Sequence, residues 1–197
     1  MFNPGRGYRN EFRIIAGQWR RRRLKFPDLP GIRPSPDRVR ETLFNWMQQG
    51  VSGARCLDLF AGSGALGLEA LSRGAASVLF VDRERQVVEA LRANLDLLRA
   101  PNSAVLQSDA LTYLRSPAQT FDIVFLDPPF ASPRLLTESA TALELGGWLA
   151  FQACIYMEYP LGSKTVLPEA WELIRESHAG RVGFGLARRS ATKLAET

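Results

Sequence analysis

The sequence predicts an α/β protein built on a mostly parallel sheet with helices on both faces. Three features carry that expectation. Apolar runs of strand length alternate with amphipathic stretches of helical spacing through the middle of the chain, the pattern of right-handed βαβ units. The first of these runs feeds directly into a glycine-rich loop and then a helix. The final segment switches to period-two alternation around a glycine, which predicts a C-terminal antiparallel hairpin. With 197 residues, 46% hydrophobic and 23% charged, the chain reads as one soluble globular domain with a small appendage, able to bury a core without staples.

Taken in order, residues 12–16 and 22–26 are short strand candidates around Gly17 and Gln18, a hairpin. Pro27, Pro30, Gly31, Pro34 and Pro36 mark a linker. Ser35 is a favoured N-cap and Pro36 suits the first helical position. Val39, Leu43, Trp46 and Met47 recur at helical spacing, so a helix is expected over 36–49. Strands are expected over 55–60, 77–81, 104–106 and 121–126. The helices that follow them run through Leu71, over 84–98, from Ala110, and from Pro133 to Leu143. Residues 147–152 and 154–157 cover the next strand region, and 171–176 with 182–187 form the terminal hairpin.

Charge is unevenly spread. Residues 1–40 hold 11 Lys/Arg against 3 Asp/Glu, a net of +8, whereas the remainder holds 14 against 17, a net of −3. The densest part is Arg20, Arg21, Arg22, Arg23 and Lys25, beside Trp19 and Phe26. Cations that neutralise phosphates, next to rings that stack on bases, suit a nucleic acid. A solvated basic hairpin that only aids solubility is the plainer reading, and the near-neutral body below the arm weighs against it. The apolar runs fall far short of the roughly 18 residues of a membrane span, and Met1–Arg6 lacks a signal peptide's apolar region. Cys56 and Cys154 make no disulfide framework and no CxxC pair, so a cytoplasmic protein with reduced thiols is expected. The single histidine, His178, argues against a His-rich metal site and a Ser-His-Asp triad.

Four motifs carry chemistry. Asp58 lies inside the first central strand, just before a loop, and Phe60, Ala61, Gly62, Ser63 and Gly64 follow in a stretch whose glycines let the backbone approach a ligand. Gly62, Gly64 and Gly67 also satisfy a dinucleotide fingerprint. Asp58 points elsewhere, because a carboxylate before the loop repels a pyrophosphate and attracts an ammonium. Asp82, followed by Arg83, ends the next strand, where an acid grips ribose hydroxyls. Asp109, followed by Ala110, is either a helix N-cap or an acceptor for an adenine amino group. Asp127, Pro128, Pro129 and Phe130 close the fourth strand. Two prolines leave a rigid run of carbonyls, Asp127 adds an acceptor and Phe130 a ring, together a socket for a planar group bearing an NH₂.

These residues, in order and spacing, resemble the class I S-adenosylmethionine-dependent amino-methyltransferases. The stretches Arg13–Arg20, Arg33–Trp46 and Phe60–Leu71 are similar to the RsmD family, bacterial enzymes that methylate N2 of one guanine in 16S ribosomal RNA. The resemblance runs from Phe12 to Leu186. It implies a Rossmann-like seven-stranded sheet with one strand reversed by the last hairpin. It also implies an RNA-contacting N-terminal β-hairpin extension over residues 1–34, a methyltransferase domain over 35–197, and no metal. Asp58 and the Gly62–Gly64 loop would hold the methionine end of the cofactor, Asp82 with Arg83 the ribose, and Asp109 with Ala110 the adenine. Residues 33–41 would cover the cofactor from the other side. Asp127 and a Pro128 carbonyl would orient the target amine of a flipped-out guanine. A monomer acting on the small subunit or an assembly intermediate is the expected state. Rival readings are methylation of adenine N6 or of a protein glutamine amide, an NAD-dependent oxidoreductase, and a non-catalytic RNA-binding protein.

Overall fold

The computed structural model describes residues 10–48, 50–132, 134–163 and 166–190. Gln49 and Pro133, an expected helix end and an expected helix start, lie outside them, as do residues 1–9 of the extension. Along the chain come β1 (Asn10–Arg13), β2 (Arg23–Phe26), α1 (Asp37–Trp46), β3 (Arg55–Asp58), α2 (Ala65–Ser72), β4 (Ser77–Asp82) and α3 (Arg85–Leu98). They continue with β5 (Ser103–Gln107), α4 (Ala110–Tyr113), β6 (Phe121–Leu126), α5 (Arg134–Leu145), β7 (Leu149–Pro160), β8 (Trp171–Ala179) and β9 (Val182–Arg189).

Seven strands form one sheet in the order β5-β4-β3-β6-β7-β9-β8. β3 pairs parallel with β4 and β6, and β9 runs antiparallel to both β7 and β8. The chain leaves β3 toward β4 and β5, then returns to β6 on the other side of β3. That reversal opens a crevice beyond the carboxyl ends of β3 and β6, the place where open α/β sheets bind ligands.

Each sheet face is sealed by its own apolar layer. Cys56, Phe80, Phe125, Tyr156 and Phe184 pack beneath α1, α2 and α3. Leu57, Val81, Val124, Ile155 and Met157 pack beneath α4 and α5, with Trp148 fully buried among them. β7 is one strand rather than two pieces. Gln152 takes a φ of 57° and the β6–β7 register shifts between Phe121 and Ile123, so an irregularity absorbs the break expected at residue 153.

The N-terminal hairpin is welded to this body. Phe12, Ile14, Trp19, Leu24 and Phe26 are buried in the same layer as α1–α3. Trp19 and Phe26 are therefore core residues and present no face to a base, contrary to the sequence expectation; their apolar area is worth more against α2 and α3 than in water. Glu69, fully buried on α2, accepts the backbone N–H groups of Ile15 (2.8 Å) and Ala16 (3.0 Å), and Arg40 and Arg73 reach the same carboxylate. Arg40, also fully buried, donates to the carbonyls of Ser35 and Arg13 and to Asp37. It is a clamp inside the fold, not a cover over a ligand. Ser35 does not cap α1. Pro36 takes the cap position, and the Ser35 hydroxyl turns to the buried carboxylate of Glu158 (2.7 Å), the stronger acceptor.

Candidate active site

The crevice is built from the ends of three neighbouring strands. Asp58 closes β3 with 3% of its surface exposed, and its Oδ2 accepts the Gly67 N–H at 3.0 Å. Gly67 has to be glycine. A Cβ there would meet the Phe80 ring and stand 3.0 Å from the Asp58 carboxylate. Gly64 caps α2 at a φ of 76°, where a Cβ would run into Leu91. The loop from Phe60 to Gly64 is thereby pressed onto α3, with Ala61 and Ser63 buried. Asp82 closes β4. Its Oδ2 accepts the Gly62 N–H and its Oδ1 the Glu84 N–H, both at 2.9 Å. Each oxygen keeps a lone pair for a further donor. Arg83 is exposed and pairs with Glu84 at 3.3 Å. Asp109 caps α4 through Thr112 N–H at 3.0 Å, ahead of buried Ala110. The cap reading of Asp109 is thus present in the structure, on one oxygen.

Asp127 follows β6, and β6 lies directly beside β3. Asp127 as a residue is only partly exposed, its carboxylate accepts no hydrogen bond from the described residues, Pro128 is buried, and Phe130 stands 42% exposed, free to offer its face. Residues 58, 62–64, 82 and 127 therefore share one end of the sheet. The linker passes over the same end. Ile32 approaches Gly62, its Cγ2 3.9 Å from where a Cβ would be, and Ser35 reaches β7. Arg20–Arg23 and Lys25 are exposed, but they are not at that end. The turn carrying the arginines docks through Gln18 N–H on the Ser72 carbonyl (2.7 Å) and Trp19 N–H on the Ser72 hydroxyl (3.0 Å). Ser72 is the last residue of α2, so this contact lies about 12 Å along the helix from Gly64.

Acidity is concentrated in the crevice. Burial pushes the Asp58 carboxyl up to about 8; the Gly67 N–H pulls it down and the charge of Asp82 adds to the rise. Burial also raises Asp82 against the pull of its two backbone donors. Asp127 is driven well above the ordinary carboxylate range by burial, then by Glu158, then by Asp58. Cys56, in β3, has its thiol pushed up to about 12 by burial, which leaves it as packing rather than a nucleophile.

Sequence reasoning passed over Glu158 and Tyr156, and it read Ser35 as a helix cap and part of a segment covering the cofactor; the three meet beside the crevice. Glu158 is 5% exposed, and its Oε1 accepts both the Ser35 hydroxyl (2.7 Å) and the Tyr156 hydroxyl (2.8 Å). A signal was present: a lone charge inside the apolar run Cys154–Pro160. Asp58, the equivalent oddity in β3, stood out only because glycines follow it.

Strand order, crevice position and a carboxylate before the glycine loop define a class I methyltransferase. A family model described as conserved hypothetical protein 95 matches residues 12–187. The ribosomal RNA small subunit methyltransferase D of Escherichia coli K12 is 48% identical over 193 residues, covering 97% of this chain and 96% of its own length. Its namesake in Haemophilus influenzae is 41% identical over 182 residues, covering 90% of this chain and 94% of its own. The chain belongs to this ribosomal RNA small subunit methyltransferase D (RsmD) family. Among solved structures, yhhF from E. coli superposes with a TM-score of 0.85 at 47% identity, over 92% of this chain and 99% of that one. An RNA methyltransferase from Salinibacter ruber, in complex with S-adenosyl-L-homocysteine, shares the fold with a TM-score of 0.62 at 15% identity, over 81% of this chain and 95% of that one.

Proposed function

We propose that the chain methylates the exocyclic N2 amine of a guanine in 16S ribosomal RNA, with S-adenosylmethionine as donor. The reading is supported by the RsmD relatives and carried by one observation: Asp127, whose carboxylate accepts no hydrogen bond from the described residues, lies at the same end of the sheet as Asp58 and within reach of its charge. The crevice fits that cofactor. Asp58, buried with a single N–H donor, suits its ammonium, Asp82 its ribose hydroxyls, the Phe60–Gly64 loop its methionine stem, and Asp109 with Ala110 its adenine. When bound, S-adenosylmethionine supplies an electrophilic methyl on a sulfonium. The chain's part is orientation. A guanine amine is a poor nucleophile because its lone pair is delocalised into the ring. Asp127 and the Pro128 carbonyl accept hydrogen bonds from its two N–H groups and favour a pyramidal nitrogen, Pro129 stiffens the run, and Phe130 stacks on the extruded base. Arg20–Arg23 and Lys25, within the extension over residues 1–34, hold RNA phosphates. An RNA that reaches both arm and socket has to run along at least the length of α2. We read the chain as a monomer that works in the cytoplasm on the small subunit or its assembly intermediate; no described helix is long and apolar enough to cross a membrane.

Single-turnover methylation of small-subunit RNA tests the socket. Asp127→Ala is expected to lose roughly 10²–10³ in rate, while calorimetry finds its cofactor affinity unchanged. Asp127→Asn, which keeps an acceptor oxygen, retains measurable activity. Nucleoside analysis of the product is expected to give N2-methylguanosine; N6-methyladenosine instead would overturn the substrate assignment. An Asp127→Ala variant as active as wild type would make the Pro-Pro socket a mere turn.

A further inference from the structure

Glu158 is a buried carboxylate at the amine side of the crevice, and orientation by Asp127 alone gives it no task. β6 and β7 run parallel with Leu126 opposite Met157, so Asp127, the first residue past β6, comes level with Glu158 on β7. Two residues back, Phe125 and Tyr156 are partners on one sheet face, their rings 6.5 Å apart. Side chains two apart on a strand share a face, so Glu158 continues the row of Tyr156 and Asp127 comes just past that of Phe125, near enough for the charge of Glu158 to act on Asp127. Both hydroxyls that reach Glu158 donate to Oε1. Among the described residues nothing donates to Oε2.

We propose that Glu158 is a positioning residue for methyl transfer: its Oε2 accepts a hydrogen bond from protonated Asp127, turning the other Asp127 oxygen to the target amine as a neutral acceptor. The inference rests on the reading of Asp127 given above. Two neighbouring carboxyls largely shielded from water do not both ionise, so the pair holds one proton. Two hydroxyls donate to Glu158 and none among the described residues donates to Asp127, so hydrogen bonding favours the charge on Glu158 and leaves the shared proton to Asp127. Burial raises both groups. The other groups around the pair are Asp58 on β3, the raised phenols of Tyr156 and Tyr159 on β7, and Arg40 on α1. Arg40 is bound to Asp37, Glu69 and the Ser35 and Arg13 carbonyls, and β9 sets uncharged Phe184 opposite Glu158.

The pair also disposes of a proton. Once the amine lone pair has formed the new N–C bond, the sulfur keeping the electrons of the broken bond, nitrogen carries one proton too many. That proton passes to the facing Asp127 oxygen as Asp127 hands its own to Glu158. Glu158 gains one proton, Asp127 gains none, and Glu158 returns its proton to water after product release.

The test is a double-mutant cycle with pH profiles in single-turnover methylation. Glu158→Gln preserves volume and an acceptor for both hydroxyls. It is expected to lower the rate about tenfold or more with cofactor and RNA affinities unchanged, and to erase the acid limb of the wild-type profile. In an Asp127→Asn background, where an amide replaces the protonated acid, Glu158→Gln is expected to cost less than about twofold. Infrared difference spectroscopy, which needs no turnover, should find a protonated carboxyl band at neutral pH that Asp127→Asn removes. A Glu158→Gln variant with wild-type rate and acid limb, an equal loss in both backgrounds, or no such band would each overturn the inference. Failure of the underlying Asp127 reading shows separately, as full activity in Asp127→Ala.

Discussion

Burial and ligand charge meet at Asp58. Its carboxyl, pushed up to about 8, is largely protonated near neutrality until a cation arrives. An ammonium favours the ionised form, so cofactor binding at pH 7 should release a proton, and affinity should climb between pH 6 and 8, roughly one proton's worth. Calorimetry in two buffers of different ionisation heat measures this directly; a heat independent of buffer would mean that Asp58 does not meet the ammonium. The same shift acts with the opposite sign on the empty protein. The folded chain keeps a proton that the unfolded chain loses above 3.8, so this group's contribution to stability falls as pH rises from there to about 8. As candidates for the crevice, Asp58, Asp82 and Asp127 were legible, because glycines, a strand end or prolines flag them, and the structure gathers them at one end of the sheet. Glu158 was not legible as a neighbour of Asp127, because that placement depends on the β6–β7 register, a long-range pairing that no local window contains.

At the scale of elements, the weld between the N-terminal hairpin and α2 rests on Glu69. This carboxylate, fully buried, takes two backbone N–H groups and two arginines. Glu69→Ala leaves those buried donors without a partner and should destabilise the fold by about 3–5 kcal/mol. Denaturant titration checks the loss, and hydrogen exchange should find the Ile15 and Ala16 amides among the first to lose protection. If stability changes by less than about 1 kcal/mol, the hairpin is held by its apolar face alone. The alternation of strands and helices was readable in order, and boundaries moved by only a few residues, because periodicity marks which face is apolar. It does not say what covers that face. The hairpin read as an appendage, yet Trp19 and Phe26 lie in the main core.

For the molecule as a whole, the arginine turn and the crevice are separated by at least the length of α2, about 12 Å. Replacing Arg20, Arg21, Arg22 and Arg23 by Ala should weaken RNA binding and lower the magnitude of the log–log salt slope by about 0.7–0.9 per lost phosphate contact. Cofactor affinity should not move, since none of the four lies at the glycine loop. An unchanged salt slope would make the turn a solubility feature. The sheet order has one more consequence, in time rather than space. Asp58 and Asp82, the carboxylates proposed for the ammonium and the ribose, are made early and sit on β3 and β4, which pair with each other. Glu158 sits on β7, whose edge from Cys154 to Pro160 is covered by β9. A nascent chain that has not yet produced Val182–Arg189 therefore exposes a bare strand edge beside the amine socket. Such a chain can assemble its donor half, but its acceptor half stays open, and prone to pair with other chains, until β9 slots between β7 and β8.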